Sequence, residues 1–293
     1  MFKKIVLGIL ALFGLLLTFG SEGAYDTTFS LGGEDKPSLT LSYTSWDDGI
    51  ATTAVIAAVL RDEGFKVTPV QLDPAILFNS LATGTSDFSV SPWLLSHGNY
   101  IEEYEDEIDI IGAHAEGAEN GLTVPTYMED VNSIEDLTDE ANQTITSIEP
   151  GASLIDQANN MLDLYSNLSD WDLQVSSTGA MLTALRQAYA SEEEIVITAW
   201  RPHWMFSEFD LKILEDPEGA YGTGESLLSI GRLGLKEDNP RAYEILENFS
   251  WSVEDMQQVM LYLQDDLSPA EAARKWLDEN PEKVAEWIKT TSE

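Results

Sequence analysis

The alternation of apolar and polar residues along the chain predicts a succession of strands and helices. Leu39, Leu41 and Tyr43 alternate with polar neighbours, which is typical of a half-buried strand. Residues 50–61 place apolar side chains at helical spacing, and Gly64 favours a helix end. The same criteria predict strands at 65–72, 87–91, 108–112, 144–148, 171–175, 194–199 and 228–235, and helices at 74–82, from about 154, at 180–190, 253–263 and 269–288.

This order of elements predicts the α/β class, with a parallel sheet covered by helices on both faces. We interpret residues 121–125 as a crossing into a second lobe and residues 228–235 as a strand that returns to the first. The predicted lobes are 38–122 plus 230–293 for lobe 1 and 123–229 for lobe 2. We find no internal repeat.

The first 24 residues have the layout of a secretory signal peptide. Lys3 and Lys4 precede an apolar run over residues 5–19, and small residues follow it. The alternative is an uncleaved membrane anchor, but such a run is short for a bilayer core, which asks for about 20 apolar residues. Residues 25–37 are predicted to be a flexible leader. Export to the periplasm or cell exterior follows from this prediction.

Composition and charge exclude several classes of function. The 293 residues include 52 Asp and Glu against 15 Lys and Arg, for a formal net charge of −37. Such a charge repels phosphate backbones, so no nucleic acid partner is expected. The absence of Cys excludes disulfides, thiol catalysis, Cys-ligated metals and a lipidated N-terminal Cys. The acidic surface fits a saline habitat, where salt screens self-repulsion, or is a generic acidic surface.

Known catalytic and cofactor motifs are missing from the sequence. It contains no GxSxG elbow, Walker loop, GxGxxG or HExxH sequence. Three His residues and no Cys leave little for a metal site. We therefore expect no enzyme activity, no cofactor and no metal.

Three of the eight tryptophans follow predicted strands, where ligands bind in open α/β sheets. Trp46, Trp93 and Trp200 come at or just after the ends of separate strands. Indole faces attract a desolvated cation by about 0.5–2 kcal/mol, and they can enclose the methyl groups of a quaternary ammonium. The alternative is that these rings belong to the core, where most tryptophans lie. Trp171, Trp251, Trp276 and Trp287 are assigned to structure.

A complementary anion site is predicted close to Ser153. The segment Glu149-Pro-Gly-Ala-Ser153 precedes a helix, and the free amides of a helix N-terminus favour a carboxylate. His97, four residues after Trp93, could donate a further hydrogen bond. A cation site combined with an anion site describes a zwitterion such as a betaine.

The chain resembles the glycine betaine-binding proteins of ATP-driven osmoprotectant importers, the OpuAC type. The resemblance covers residues 39–289 and is carried by four stretches, SYTSWDD (42–48), SPWLLSH (91–97), SIEPGASL (147–154) and ITAWRPHWMF (197–206). It implies a two-lobed periplasmic-binding-protein-like (type II) fold with a ligand cleft between the lobes. It also implies a membrane permease and a cytoplasmic ATPase as partners.

The resemblance further implies which residues bind the ligand. Trp46, Trp93 and Trp200 match the cage for the trimethylammonium group, the amides of Ser153 and Leu154 match the carboxylate contacts, and His97 is the matching histidine. The chain departs from the family in having Trp-Leu-Leu-Ser-His, one residue shorter than the usual Trp-Leu-Pro-x-Thr-His. The anion loop reads Gly-Ala-Ser-Leu in place of Gly-Ser-Gly-Ile.

Three alternatives remain open at this point. The ligand could be another onium solute, namely proline betaine, carnitine, choline or a sulfonium compound. The chain could be a sensor domain for such a solute, although no output domain is recognised in the sequence. An exported hydrolase is disfavoured because no nucleophile motif is found.

Overall fold

A computed structural model describes residues 36–222 and 224–290 of the chain. The predicted signal peptide (1–24) and nearly all of the predicted leader (25–37) lie outside these residues. The described part contains nine strands: β1 (Ser38–Tyr43), β2 (Lys66–Gln71), β3 (Phe88–Ser89), β4 (Ile108–Pro125), β5 (Thr144–Thr146), β6 (Asp172–Gln174), β7 (Val196–Arg201), β8 (Leu211–Ile213) and β9 (Glu225–Arg232).

Helices separate most of these strands. They are α1 (Asp47–Asp62), α2 (Pro74–Ala82), α3 (Gly98–Glu103), α4 (Ser153–Leu164), α5 (Thr178–Ser191), α6 (Met205–Glu208), α7 (Leu235–Asp238), α8 (Pro240–Asn248), α9 (Val253–Gln264), α10 (Pro269–Glu279) and α11 (Pro281–Trp287). Short 3₁₀ turns lie at Ile134–Asp136, Glu140–Gln143 and Ser166–Leu168. No helix within 36–222 and 224–290 is long and apolar enough to span a bilayer.

The strands form one mixed sheet, in the order β2-β1-β3-β9-β4-β7-β5-β6, with β8 paired to β4. At one end β1 pairs in parallel with β2 and β3, and at the other β5 pairs in parallel with β6 and β7. The centre is antiparallel, because β9 runs opposite to β3 and β4, and β4 runs opposite to β7 and β8. The prediction of a parallel sheet is therefore correct for the two ends and wrong for the centre.

β4 is the strand that joins the two regions of the sheet. Its first part pairs with β9 as far as Ala118, and its last part pairs with β7 and β8 from Glu119 onwards. Register shifts along the β9 pairing mark β-bulges, which bend a strand and increase its twist. The strand predicted at 108–112 is only the start of β4. The bulges interrupt the alternation of apolar and polar residues by which a strand is predicted. The predicted lobe boundary at 122/123 falls inside β4 and stays a prediction.

The C-terminal helical segment is divided where one helix over 269–288 was predicted. α10 ends at Glu279 and α11 begins at Pro281. A proline lacks an N–H and disfavours helical backbone at the residue before it, and Asn280 accordingly has φ −127° and ψ 48°. The prediction of one continuous helix was wrong for this reason.

The core extends through both regions of the sheet and contains the tryptophans that were assigned to structure. Trp276 stacks on Trp287 with ring centroids 5.6 Å apart, and Trp251 meets Trp276 edge-on at the same distance. Trp171 is also buried. These contacts fix α10 and α11 against the loop that precedes α9, and they confirm the structural assignment of all four rings.

Candidate ligand-binding site

The three tryptophans at strand ends line a single pocket, which we call the tryptophan pocket. The parallel pairs explain the convergence, since β1 and β3 end at one edge of the sheet and β5 and β7 end together in the other region. The lining residues are Trp46, Asp48, Trp93, Ser96, His97, Asn120, Ile148, Ala152, Ser153, Leu154 and Trp200. All six residues that the sequence nominated for the site are among them.

Each ring is held by the element that precedes or contains it. Trp46 follows β1 and takes the N-cap position of α1, with extended backbone at φ −76° and ψ 153°. Trp93 follows β3 and forms an isolated bridge to Leu227. Trp200 lies within β7 and is paired with Asn120 of β4. Trp46 is half-buried, whereas the other two rings are almost fully buried.

Two of the three indole N–H groups donate to carboxylates. Trp46 Nε1 donates to Glu149 Oε1 at 2.6 Å, and Trp93 Nε1 donates to Asp48 Oδ2 at 2.9 Å. Glu149 also accepts, through Oε2, from the amide and the hydroxyl of Thr178 at 2.8 and 2.9 Å. These bonds fix the planes of both rings against the pocket.

Asp48 is a buried acid on the wall of this pocket, 1% exposed. Burial raises the pKa of its carboxyl to about 6, because an ionised carboxylate is poorly solvated there; the Trp93 hydrogen bond opposes this and the Asp47 charge adds to it. The carboxylate is therefore mostly ionised at pH 7 and becomes mostly neutral by pH 5.

His97 presents a free donor to the pocket. Its Nδ1 accepts the backbone N–H of Trp93 at 2.9 Å, which places the ring proton on Nε2. Nε2 is buried and has no protein partner. Burial lowers the pKa of His97 to about 4, so the ring is neutral at physiological pH. The shortened Trp-Leu-Leu-Ser-His segment still brings this histidine into the pocket.

The start of α4 supplies further donors on the same side. Gly151 has φ +92°, a left-handed turn that suits glycine, and it brings the chain back so that the helix begins at Ser153. The N-cap residue, Ala152, offers no side-chain cap. The first amides of a helix have no acceptor within the helix, so Ser153 and Leu154 can donate to a ligand.

A polar network supports the wall between these donors and the sheet. Glu225, at the start of β9, accepts the amides of Leu95 and Ser96 at 3.0 and 2.9 Å, and its other oxygen accepts the Ser96 hydroxyl. Asn120 Nδ2 donates to Ser96 Oγ and to Gln157 Oε1, both at 2.9 Å. The network holds the segment that carries His97.

His203 links the ends of β7 and β1 beneath Trp200. Its Nδ1 accepts the amide of Met205 at 3.1 Å, so Nε2 carries the proton that faces Asp47 Oδ2 at 3.2 Å. The ring also meets Trp200 edge-on, with centroids 4.7 Å apart. His203 is fully buried, and its hydrogen bonds join the segment after β7 to the start of α1.

Sequence reasoning missed five lining residues, namely Asp48, Ser96, Asn120, Ile148 and Ala152. Asp48 lies two residues after Trp46 in the stretch SYTSWDD, and this position was a usable signal. Ser96 and Ala152 lie inside the stretches SPWLLSH and SIEPGASL, and Ile148 in the second of them. Asn120 gave no signal, because β4 was not predicted beyond residue 112. No group of three His, Asp or Glu side chains suited to a metal occurs within 36–222 and 224–290.

Comparison with known proteins relates the chain to one family. Residues 37–279 match the family described as the substrate binding domain of ABC-type glycine betaine transport system. The glycine betaine/carnitine transport binding protein GbuC of Listeria monocytogenes serotype 1/2a (strain 10403S) is 45% identical over 168 residues, which cover 57% of this chain and 55% of that protein. The match thus spans about half the length of this curated relative.

Two solved structures share both fold and sequence with the chain. Lactococcal OpuAC, in its closed-liganded conformation with glycine betaine, has a TM-score of 0.83 and 43% identity, covering 86% of this chain and all of that one. The glycine/betaine/L-proline-binding protein ProX from Borrelia burgdorferi has a TM-score of 0.80 and 28% identity, covering 86% and 97%. The two-lobed periplasmic-binding-protein-like (type II) α/β fold is confirmed by these matches.

Proposed function

The chain belongs to the family of substrate-binding domains of ABC-type glycine betaine transport systems, which are binding proteins and not enzymes, and we propose that it captures glycine betaine or a similar quaternary-ammonium zwitterion for import. The observation that carries this proposal is the tryptophan pocket, in which three indoles and a set of free N–H donors share one cavity. The two kinds of group suit the two ends of a betaine.

The cation end is proposed to lie between Trp46, Trp93 and Trp200. A trimethylammonium group has no N–H, so it gains nothing from hydrogen-bond acceptors and much from aromatic faces and apolar contact. Desolvation within the pocket strengthens each cation–π contact, because little water remains to compete. Trp46 comes from one parallel end of the sheet and Trp200 from the other, so the complete cage depends on the cleft between the lobes being closed.

The carboxylate end is proposed to bind the amides of Ser153 and Leu154, with His97 assisting through Nε2. Helix amides and the positive end of the helix dipole favour an anion. The neutral state of His97 at pH 7 makes Nε2 a donor without adding a net charge. Choline has no carboxylate to satisfy these donors, so the site favours a zwitterion over choline.

A second candidate ligand is a longer onium zwitterion such as carnitine. A further cavity shares Ser96, His97 and Ser153 with the tryptophan pocket and continues along α4. It supports this alternative because a longer chain could extend into it from the carboxylate side. Proline betaine and sulfonium solutes keep the same onium and carboxylate chemistry and belong to the same test.

The proposal includes a place and partners for the protein. Export through the signal peptide predicted at residues 1–24, without a lipid anchor, would leave it free in the periplasm or outside the cell. There it would deliver its ligand to a membrane permease driven by a cytoplasmic ATPase. A net-neutral ligand is little steered by long-range charge, so the acidic surface does not hinder its capture.

Calorimetric titration of the exported chain with glycine betaine, proline betaine, carnitine and choline tests the proposal. We expect a 1:1 complex with at least one of the zwitterions and weaker binding of choline. Absence of binding by all four at millimolar concentration contradicts the proposed function.

A further inference from the structure

The indole N–H groups of two tryptophans of the proposed cage donate hydrogen bonds to carboxylates, and these bonds connect both regions of the sheet. Trp93 donates to Asp48, the second residue of α1, at 2.9 Å. Trp46 donates at 2.6 Å to Glu149, which follows β5. Hydrogen-bonded to the ring edges in this way, the two acids bring negative charge close to the space where the cation is proposed to bind.

Neither carboxylate is neutralised by a basic side chain of the described residues. The ion pairs there involve other acids, and the groups that donate to these two carboxylates are the two indoles, Thr178 and, for Asp48, its own backbone amide. A buried carboxylate without a cation is unfavourable for folding alone, and Asp48 is 1% exposed. Its charge becomes favourable once a cation occupies the neighbouring space.

We propose that Asp48 and Glu149 are positioning residues for the cation, which fix two indole planes and place negative charge behind them so that the pocket favours a cation. The inference rests on the proposed function and deepens it. An anion at the N–H edge of an indole pushes electron density toward the ring face, and in a desolvated site both this polarisation and the direct attraction are strong. The neutral ligand as a whole still balances its own charge, because its carboxylate is held at the opposite end.

Glu149 requires a carboxylate for a geometric reason. One oxygen accepts from Trp46 on one side of the cleft, and the other accepts two bonds from Thr178 on the other side. A glutamine has only one acceptor oxygen, so Glu149→Gln must lose either the Trp46 bond or the Thr178 bonds. Asp48→Asn differs, since its amide oxygen can still accept from Trp93, so the indole bond is retained while the charge is lost.

Asp48 also makes cation binding depend on pH. The titratable groups that act on it are Asp47 on its own helix and His203 from the segment after β7, and His97 from the segment after β3 lines the same pocket. His97 stays neutral between pH 5 and 7.5 because burial lowers its pKa to about 4. With the pKa of Asp48 raised to about 6, protonation of this carboxyl weakens binding about fivefold between pH 7.5 and pH 5, because a cation that gains about tenfold from the charge also lowers the pKa of Asp48 in the complex. His203 is present in the Asp48→Asn variant as well, so a dependence due to His203 persists there.

Titrations of the wild-type exported chain and three variants with glycine betaine, each at pH 7.5 and pH 5, test this inference. We expect Asp48→Asn and Glu149→Gln to bind about tenfold more weakly at pH 7.5, as loss of one close charge interaction suggests, and Asp48→Asn to show no further loss at pH 5. Glu103→Gln removes the same charge from an exposed position of α3 and serves as the matched control, with unchanged affinity.

Urea unfolding of the same proteins separates this role from a structural one. Removal of a buried unpaired charge should leave the free energy of unfolding of Asp48→Asn at pH 7.5 equal to that of the wild type or higher, while its affinity falls. Unchanged affinity in both variants, or a pH dependence that persists in Asp48→Asn, overturns the inference. A wild-type chain that binds none of the onium solutes contradicts the proposed function instead.

Discussion

The imidazole of His97 accepts the backbone N–H of Trp93 through Nδ1 at 2.9 Å, so one short segment carries both a ring of the proposed cage and the proposed donor to the ligand carboxylate. The bond fixes the tautomer, because an acceptor Nδ1 leaves the proton on Nε2. Nε2 is buried without a protein partner in a wall of the tryptophan pocket. A ligand carboxylate is the group that would satisfy it.

Replacement of His97 by alanine should weaken the binding of a betaine far more than the binding of choline. Loss of a hydrogen bond to a charged group costs about 1.5–3 kcal/mol, and choline has no carboxylate to accept that bond. Calorimetric titration of His97→Ala with glycine betaine and choline measures the difference. An equal loss of affinity for both ligands would show that His97 shapes the pocket and does not bind the ligand carboxylate.

Trp200→Ala should weaken the binding of glycine betaine by about 2 kcal/mol or more, because a desolvated cation–π face and its apolar contact are both removed. Trp171→Phe is the matched control. That indole lies in the core, outside the pocket, and its Nε1 has no partner to lose. Titration of both variants should show the loss only in the first, and an unchanged affinity in Trp200→Ala would remove this ring from the site.

Acidification from pH 7 to pH 5 should destabilise the fold through buried histidines. Burial lowers the pKa of His97 to about 4 and that of His114 to about 3, so both protonate in the unfolded chain below about 6.5 while the folded chain stays neutral there. Asp48 acts in the opposite direction. Because its pKa is raised in the folded chain, its contribution to the free energy of unfolding is present at low pH and is lost as the pH rises through 6. Near pH 5 the three groups together take up about one proton when the chain unfolds. The free energy of unfolding should therefore fall by about 1.4 kcal/mol for each pH unit of acidification.

Urea unfolding at pH 5, 6 and 7 measures this slope. His114→Phe removes one of the two histidines and should reduce the acid-side slope by about 1.4 kcal/mol per pH unit. His114 lies against Phe249 at 5.1 Å, so an aromatic replacement retains the ring contact. A slope that is identical in the variant would show that His114 takes up protons equally in the folded and unfolded chain.

Sodium chloride should stabilise the protein. With a formal net charge of −37, mutual repulsion of carboxylates opposes folding, and the Debye length falls from about 10 Å at 0.1 M salt to about 3 Å at 1 M. The free energy of unfolding should therefore rise between 0.1 M and 1 M NaCl. Stability that does not depend on salt would count against the hypothesis of a saline habitat and favour a generic acidic surface.

The sequence predicted the parallel parts of the fold better than its centre. β1, β2 and α1 have regular local periods, and the boundaries predicted for them agree with the structure within a few residues. The antiparallel pairing of β4 with β9 joins residues more than a hundred positions apart, and bulges break the alternation of β4. Local pattern cannot reveal such a pairing, because the partner strand determines it.

The same division applies to the site. Tryptophans at strand ends and a Pro-Gly turn before a helix are local signals, and they led to six lining residues. The partners of those rings were not predictable in this way. Glu149 and Trp46 meet only because β5 and β1 belong to one curved sheet. The hydrogen bond from Trp93 to Asp48 depends on the packing of α1 against the segment after β3.

A crystal structure of the exported chain grown with glycine betaine tests the proposed binding mode most directly. We predict that the quaternary nitrogen lies within about 6 Å of the ring centroids of Trp46, Trp93 and Trp200. The carboxylate should accept from the amides of Ser153 and Leu154 and from His97 Nε2. A ligand bound in another cavity, or with its carboxylate among the indoles, would overturn the proposed binding mode.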